Sequence, residues 1–162
     1  MDFSNLKRFE LYGLGAAALL VVCLFLPWFD LGLTAEIRNN QDAWVCGEGD
    51  FSCTGWESFP MMRWLLVAAA VAPVLLAYFV LRAEKGKYPT GEFTMTVGLA
   101  VIVLVGFNGV LNKPGNAIQE AGISLDYGYF LAIVAGFIMA GAGALRSLES
   151  GGGAPRKPPG TY

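Results

Sequence analysis

The sequence predicts an all-α membrane protein: a four-transmembrane-helix bundle with a small disulfide-clipped extracytoplasmic β-hairpin loop. Apolar residues make up 55% of its 162 residues. They gather in four runs of about 18 to 22 residues, the length that spans a hydrocarbon layer of roughly 30 Å. One long polar segment, residues 28–59, separates the first two runs and contains Cys46 and Cys53. A chain of this length is expected to form one domain.

The first predicted span covers residues 10–27. Two basic residues precede it, so a signal peptide is the alternative. The apolar run is too long for a signal peptide and lacks a small-residue cleavage site at its end, which favours an uncleaved helix. Pro27 is expected to end or kink this helix, and Trp28 and Phe29 follow where an aromatic belt is expected.

The external loop, residues 28–59, carries a strand pattern. Apolar and polar residues alternate over residues 31–38, a turn signal follows at 39–42, and residues 43–46 can return as a second strand. This pattern predicts a small hairpin.

Cys46 and Cys53 lie seven positions apart in the sequence. Their predicted extracytoplasmic location favours a structural disulfide that closes a small loop. The alternatives are a redox pair or a metal clip. The spacing is not Cys-x-x-Cys, and the chain has no histidine to complete a zinc site.

Three further spans follow the loop, at residues 60–82, 93–111 and 127–145. Pro73 lies inside the second span, where membrane helices tolerate proline. Residues 116–126 are expected to form a shorter external loop with an amphipathic turn around 117–121. Residues 1–146 therefore form the predicted transmembrane domain. Residues 147–162, rich in glycine and proline, are predicted to be a disordered cytoplasmic tail.

The distribution of Lys and Arg predicts the orientation. With four spans, both termini share a side, and that side carries eight of the 11 cations: Lys7, Arg8, Arg82, Lys85, Lys87, Arg146, Arg156 and Lys157. The opposite side carries Arg38, Arg63 and Lys113. Because cationic loops stay in the cytoplasm, we expect a multi-pass protein of the cell membrane with cytoplasmic N- and C-termini.

Small residues recur at every fourth position of the fourth span and predict close helix packing. They are Gly128, Ala132, Gly136, Ala140 and Ala144. The pattern leaves open whether the partner helix belongs to the same chain or to another subunit. Asn108, the one strongly polar side chain expected well inside the bilayer, is interpreted as an interhelical hydrogen-bonding group rather than a substrate site.

The sequence offers no catalytic, cofactor or metal site. It lacks histidine and shows no nucleophile and base constellation, so we expect a protein that is not an enzyme and has no cofactor. The acidic loop residues do not have the spacing of a calcium loop, which favours a solvated anionic face. The absence of a basic patch with interleaved aromatics makes nucleic acid an unexpected partner. The loop residues expected to meet a partner are Trp44, Trp56, Asp42, Glu48 and Asp50.

Two resemblances accompany these patterns. Four spans with internal termini, and a first external loop with Trp44, Cys46 and Cys53, resemble the tetraspan arrangement of claudin-type proteins. No Gly-Leu-Trp precedes the first cysteine, so this is a likeness of topology and not homology. The stretches Leu-Pro-Trp-Phe at residues 26–29 and Gly-Trp-Glu-Ser-Phe at 55–59 resemble uncharacterised small bacterial four-span membrane proteins, which implies the same topology but no activity.

The expected function is therefore non-catalytic. The sequence favours a structural, assembly or accessory membrane subunit that meets a partner through its first extracytoplasmic loop. The alternative, suggested by the glycine-rich third and fourth spans, is a small oligomeric pore or a lipid-handling membrane protein. The expected partners are membrane lipid and either another membrane protein or further copies of this chain.

Overall fold

The structure, a computed structural model, describes residues 8–32, 52–82, 90–111 and 122–151. Over these residues the chain is mostly helical. The elements in chain order are α1 (Arg8–Leu24), β1 (Pro27–Gly32), β2 (Ser52–Thr54), α2 (Gly55–Ser58), α3 (Met62–Arg82), α4 (Thr90–Val110), β3 (Gly122–Leu125) and α5 (Tyr127–Gly151).

The four long helices form an up-and-down bundle. Helix α5 packs most extensively against α4 and also along α1, while α3 packs against α1 and, over a smaller area, against α4. Gly109 and Gly91, near opposite ends of α4, lie against Tyr129 and Ser147 of α5, so these two helices are antiparallel. Antiparallel bundles of this kind bury one stripe of each helix in a shared core.

Large apolar side chains fill the centre of the bundle. The fully buried ones come from all four long helices: Leu20, Leu24, Leu66, Val101, Val105 and Met139. The outer faces are apolar as well, and α4 alone exposes Phe93, Leu99, Val103 and Phe107. A helix that is apolar on every face is typical of a membrane span.

Two of the helices are long and apolar enough to cross a membrane: Gly91–Val110 and Tyr127–Glu149. Within the described part of the chain, the predicted spans at 10–27 and 60–82 do not meet the same criterion. Helix α1 has 17 residues, about 26 Å at 1.5 Å per residue, because the chain turns into a strand at Pro27. In α3 (Met62–Arg82), the apolar stretch whose side chains the structure describes is Met62–Tyr78.

Helix α5 continues past its predicted end at residue 145. It runs to Gly151, so the predicted disordered tail begins too early by five residues, 147–151. Ser147 Oγ donates a hydrogen bond to the Ala144 carbonyl oxygen at 2.8 Å, and the helix ends where the glycine run begins. Residues 152–162 lie outside the described residues.

Three short strands form an antiparallel sheet in the order β2-β1-β3. The central strand β1 pairs Phe29 with Cys53 of β2 on one side and with Leu125 of β3 on the other. The predicted hairpin instead joined residues 31–38 to 43–46, and most of that segment lies outside the described residues. The sheet therefore unites the two predicted external loops, a pairing that local periodicity does not reveal.

The small-residue stripe of α5 contacts α4, but only part of the stripe faces α4 because its position on the helix surface changes from turn to turn. A spacing of four residues advances by about 40° per step on a helix of 3.6 residues per turn, so the stripe winds around α5. Gly136 and Ala140 are buried against α4, whereas Ala144 is only half-buried. Gly143 takes the next contact position, where an added Cβ would lie 2.7 Å from the Gly91 carbonyl oxygen.

We predict that Gly98→Ala destabilises the protein and that Gly106→Ala does not. A Cβ at Gly98 would lie 2.8 Å from the Ala140 Cα, while one at Gly106 would meet nothing within 4 Å. Overpacking of this kind costs about 1–3 kcal/mol, whereas alanine at an open helix position is neutral or stabilising by up to about 1 kcal/mol. Thermal unfolding in mild detergent compares the two variants, and equal midpoints would contradict the packing of α4 on α5.

Candidate functional site

Trp28 holds the sheet end of the bundle together. Its ring is fully buried, and its indole Nε1 donates a 2.7 Å hydrogen bond to the Cys23 carbonyl oxygen. That carbonyl belongs to the last turn of α1, where helices leave acceptors unsatisfied. Tyr129 of α5 packs edge-on at a centroid separation of 6.0 Å, and Gly55 and Gly128 lie directly against the ring. Trp28 was expected in an interfacial belt; it is instead the central contact between α1, α2 and α5.

An irregularity in β1 explains how Trp28 reaches this position. The register between β1 and β2 shifts between Pro27 and Phe29, as in a β-bulge, which redirects side chains. Trp28 and its neighbour Phe29 are both fully buried, although successive residues of a regular strand point to opposite faces. Phe29 packs edge-on against Phe59 at 5.9 Å, which ties the sheet to the start of α3.

The short helix α2 is fixed by a capping box that the sequence interpretation missed. The Thr54 hydroxyl oxygen accepts from the Glu57 backbone N–H at 3.3 Å, and Glu57 Oε2 accepts from the Thr54 backbone N–H at 3.3 Å. The signal was present as Thr-x-x-Glu at residues 54–57. The second span was predicted to begin at residue 60, and α3 begins two residues later, at Met62.

A half-exposed cluster, which we call the aromatic rim, consists of Phe25, Trp56, Arg63 and Trp64. Trp56 stacks on Phe25 at 5.4 Å and packs edge-on against Trp64 at 5.7 Å. The Arg63 guanidinium carbon lies 4.9 Å from the Trp56 ring centroid, within cation–π range. Trp64 is 59% exposed. Tryptophan and arginine in this arrangement are typical of a membrane–water interface.

The predicted partner-loop residues are only partly placed by the structure. Trp56 lies in the aromatic rim; the remaining ones lie outside the described residues, namely Trp44, Asp42, Glu48 and Asp50. Cys53 is fully buried in β2, while Cys23 is a free, buried thiol. Cys46 also lies outside the described residues, so its pairing with Cys53 stays a prediction.

Asn108 makes a hydrogen bond within its own helix. Its Nδ2 donates to the Leu104 carbonyl oxygen at 2.8 Å, and the side chain is partly buried. The predicted interhelical role of Asn108 stays a prediction.

An ion pair joins the first and last helices at the end of the bundle opposite the sheet. Arg146 Nη1 of α5 lies 2.6 Å from Glu10 Oε1 of α1, and the two side chains are 18% and 5% exposed. The sequence interpretation expected no ionisable group deep among the helices and treated Arg146 only as a topology marker. The sequence did contain a signal for this ion pair: a carboxylate at the start of the first apolar run and a guanidinium at the end of the last one.

A small, partly open cavity of about 20 Å³ lies beside this ion pair. All four long helices contribute to its lining: Phe9, Glu10, Gly13, Pro73, Leu76, Ala77, Thr94, Ala142, Gly143 and Arg146. Glu10 Oε2 is buried and has no hydrogen-bond partner in the described structure. A buried acceptor without a partner costs about 1–3 kcal/mol, and more when it is charged.

The described residues contain no group of three or more His, Cys, Asp or Glu side chains that could hold a metal ion. Comparison with protein-family models, curated proteins and solved structures finds no match to this chain. A function must therefore be inferred from the structure of the chain itself. It is a helix bundle with an apolar exterior, a small sheet at one end and a buried ion pair at the other.

Proposed function

We propose that this chain is a four-span integral membrane protein with a non-catalytic, accessory or assembly role, and that its first extracytoplasmic loop contacts a partner membrane protein. The observation that carries the proposal is the apolar exterior of all four long helices. Exposed large side chains include Leu11 and Val22 on α1, Leu65 and Leu75 on α3, Val103 on α4 and Phe137 on α5. A soluble bundle would place polar residues on these faces.

Helices α1 and α3 complete the proposed set of four spans. The hydrocarbon length of α1 falls a few Å short of a typical bilayer, a mismatch that costs only fractions of a kcal/mol per Å. The aromatic rim lies at the end of α1 and the beginning of α3, where interfacial anchors are expected. The eight-to-three distribution of Lys and Arg supports cytoplasmic termini and an extracytoplasmic sheet.

The sheet provides a fixed base for the partner loop. The chain leaves the sheet at Gly32 of β1 and returns at Ser52 of β2, and these strands are paired with each other. Trp28 in turn fixes β1 to the bundle. A loop with both ends held in this way loses less conformational entropy on binding than a free segment would.

A Cys46–Cys53 disulfide belongs to the same proposal. Closing about eight residues stabilises the loop by roughly 2–3 kcal/mol in the chain-entropy model. Mass analysis of non-reduced protein is expected to show one free thiol among the three cysteines. Cys46→Ser should leave the protein in the membrane and make the loop sensitive to protease. Three free thiols in protein from its native membrane would contradict both the disulfide and the extracytoplasmic loop.

Co-purification in mild detergent tests the proposed role. The full chain should retain a stoichiometric protein partner, and replacing Trp44 by alanine should reduce that retention at least about tenfold, as expected for an interfacial tryptophan anchor. Leu148→Ala, a change at an exposed position at the opposite end of the bundle, serves as the control and should retain the partner. Recovery of the chain without any partner protein would contradict the accessory role.

Assembly of several copies, as an oligomeric pore or lipid-handling protein, is the second candidate. Added Cβ atoms at Gly15, Gly106 and Gly141 would meet nothing within 4 Å. These glycines lie on α1, α4 and α5 and leave room for a helix of another copy to approach closely. Because large side chains fill the centre of one bundle, any pore would have to form between copies. A symmetric oligomer that purifies without another protein would favour this candidate.

A further inference from the structure

We propose that Arg63 of the aromatic rim binds the phosphate group of an anionic phospholipid in the extracytoplasmic leaflet. The inference rests on the membrane insertion and the orientation proposed above, and it adds a binding site for one chemical group, a phosphodiester anion. Arg63 lies at the beginning of α3, at the sheet end of the bundle.

The Arg63 guanidinium has no counter-charge in the described part of the chain. Its contacts there are two tryptophan rings: its central carbon lies 4.9 Å from the Trp56 ring centroid and 5.7 Å from that of Trp64. Glu57, the acidic residue of the neighbouring helix α2, instead accepts from Thr54, at 2.9 Å from the hydroxyl and 3.3 Å from the backbone N–H. Among the described residues, the rim therefore carries one positive charge without an acidic partner.

The terminal nitrogens of Arg63 are the donors that an outside anion can reach. Nε is buried without an acceptor among the described residues, so the protein itself closes it off. The two Nη atoms donate to no described residue and are not buried in this way, which leaves them open to the surroundings. Their N–H groups lie in one plane and can donate to two oxygens of a phosphate at once. The ring contacts hold this plane in place, because a guanidinium stacks on aromatic faces.

The surroundings of Arg63 favour a phospholipid over a small anion. Phe25, Met61 and Trp64 are 60%, 87% and 59% exposed, and burial against hydrocarbon is favourable for such side chains. Tryptophan rings at a membrane interface lie at the level of the lipid headgroups, which is also the level of the phosphates. A phospholipid therefore supplies a phosphate for the guanidinium and an acyl chain for the exposed side chains, whereas a free anion supplies only the first.

Charge balance favours an anionic phospholipid. Phosphatidylglycerol carries one negative charge and neutralises Arg63, whereas phosphatidylcholine brings its own ammonium charge, which the guanidinium repels. The attraction of one cationic side chain at a membrane surface corresponds to about fivefold enrichment of anionic lipid. We therefore expect phosphatidylglycerol to be enriched beside the aromatic rim itself.

The test measures which lipid lies beside the rim. The full chain, carrying Trp44→Phe, is reconstituted in equal parts of phosphatidylglycerol and phosphatidylcholine, with bromine on the acyl chains of one lipid or of the other. Bromine quenches the fluorescence of tryptophan rings that it approaches. Of the remaining tryptophans Trp28 is fully buried, so quenching reports on Trp56 and Trp64. We expect the two samples to show about fivefold enrichment of phosphatidylglycerol.

Two variants of Arg63 and one control assign the enrichment. Arg63→Gln removes the charge and should reduce the enrichment to about twofold or less. Arg63→Lys keeps the charge, in case Arg63→Gln fails to fold, but lacks the planar pair of donors and should lower the enrichment at least about twofold. Arg8→Gln, at an exposed arginine at the opposite end of the bundle, should keep it. Undiminished enrichment in Arg63→Lys would mean that charge alone attracts the lipid, which overturns the phosphate site.

Sodium phosphate separates the lipid from a free anion. It should lower the enrichment no more than sodium chloride of equal ionic strength, because both salts screen the charge. A larger loss with phosphate would show that the site takes the free anion and would overturn its assignment to lipid. Equal quenching by the two brominated lipids confirms insertion but overturns the inference, and leaves Arg63 for a carboxylate of the partner protein. Absence of quenching by either lipid places the rim outside the membrane and overturns the proposed function as well.

Discussion

Trp28→Ala is expected to destabilise the protein by about 3–5 kcal/mol, the range for truncating a large buried aromatic side chain. The substitution removes the ring between Gly55 and Gly128 and its edge-on contact with Tyr129. It also removes the indole donor to the Cys23 carbonyl oxygen, which keeps the Leu26 backbone N–H as a donor at 3.2 Å. The sheet and α2 should detach from the helices first, because Trp28 is their central contact with α1 and α5.

Two matched variants test whether the loss of stability comes from the burial of the Trp28 ring or from its hydrogen bond. Trp64→Ala, at a tryptophan that is 59% exposed, should change the stability in detergent by less than about 1 kcal/mol, because little buried area is lost. Trp28→Phe keeps an aromatic ring but removes the indole N–H and part of the buried ring, so its cost should exceed the about 1 kcal/mol of one lost hydrogen bond and stay below that of Trp28→Ala. Chemical unfolding followed by circular dichroism measures all three. Equal stabilities of the Trp28→Ala and Trp64→Ala variants would contradict the anchoring role.

Arg146→Ala is expected to destabilise the bundle by about 3–5 kcal/mol, because it leaves the Glu10 carboxylate buried without its counter-charge. The two helices that carry this pair, α1 and α5, are the first and last of the bundle. The loss should therefore expose the end of the bundle opposite the sheet, and protease cleavage near the chain termini should increase.

The double variant Glu10→Leu/Arg146→Leu provides the control. Replacing both members of a buried ion pair by apolar residues is often neutral or stabilising, so this protein should be within about 1 kcal/mol of the original or more stable. The single variants Glu10→Leu and Arg146→Leu complete a double-mutant cycle, which measures the coupling of the pair. If Arg146→Ala and the double variant lose the same stability, the ion pair does not couple α1 to α5.

The helices could be predicted from the sequence because apolar length is a local property. The predicted boundaries at 60–82 and 93–111 differ from those of α3 and α4 by three residues or fewer at each end. The sheet could not be predicted in the same way. Strand β1 pairs with β3 across 90 to 96 positions of sequence, and nothing in residues 122–125 alone indicates that partner. The bulge at Trp28 further breaks the alternation that predicts strands.

The candidate sites show the same division between local and non-local information. The spacing of Gly136 and Ala140 was enough to predict close packing. That the next contact falls at Gly143 could be identified only from the position of α4. Trp28 has an interfacial sequence context, and its burial depends on two glycines from distant elements. Glu10 and Arg146 are each unremarkable at the end of an apolar run. Only the antiparallel packing of α1 and α5 makes them a buried pair.

Thiol accessibility at three described positions tests the central claim, that this chain spans a membrane with its sheet outside. Single cysteines are placed at Ser124 in β3, Val103 in α4 and Leu148 in α5, all of which are exposed. Intact cells are treated with a membrane-impermeant reagent, and the unsubstituted chain is the background. We expect Ser124→Cys to be labelled in intact cells and Leu148→Cys to be labelled only after permeabilisation. Val103→Cys should not be labelled under either condition, because lipid covers this side chain, which is 67% exposed in the protein alone. Ready labelling of Val103→Cys would show that water covers this face and would contradict the membrane assignment.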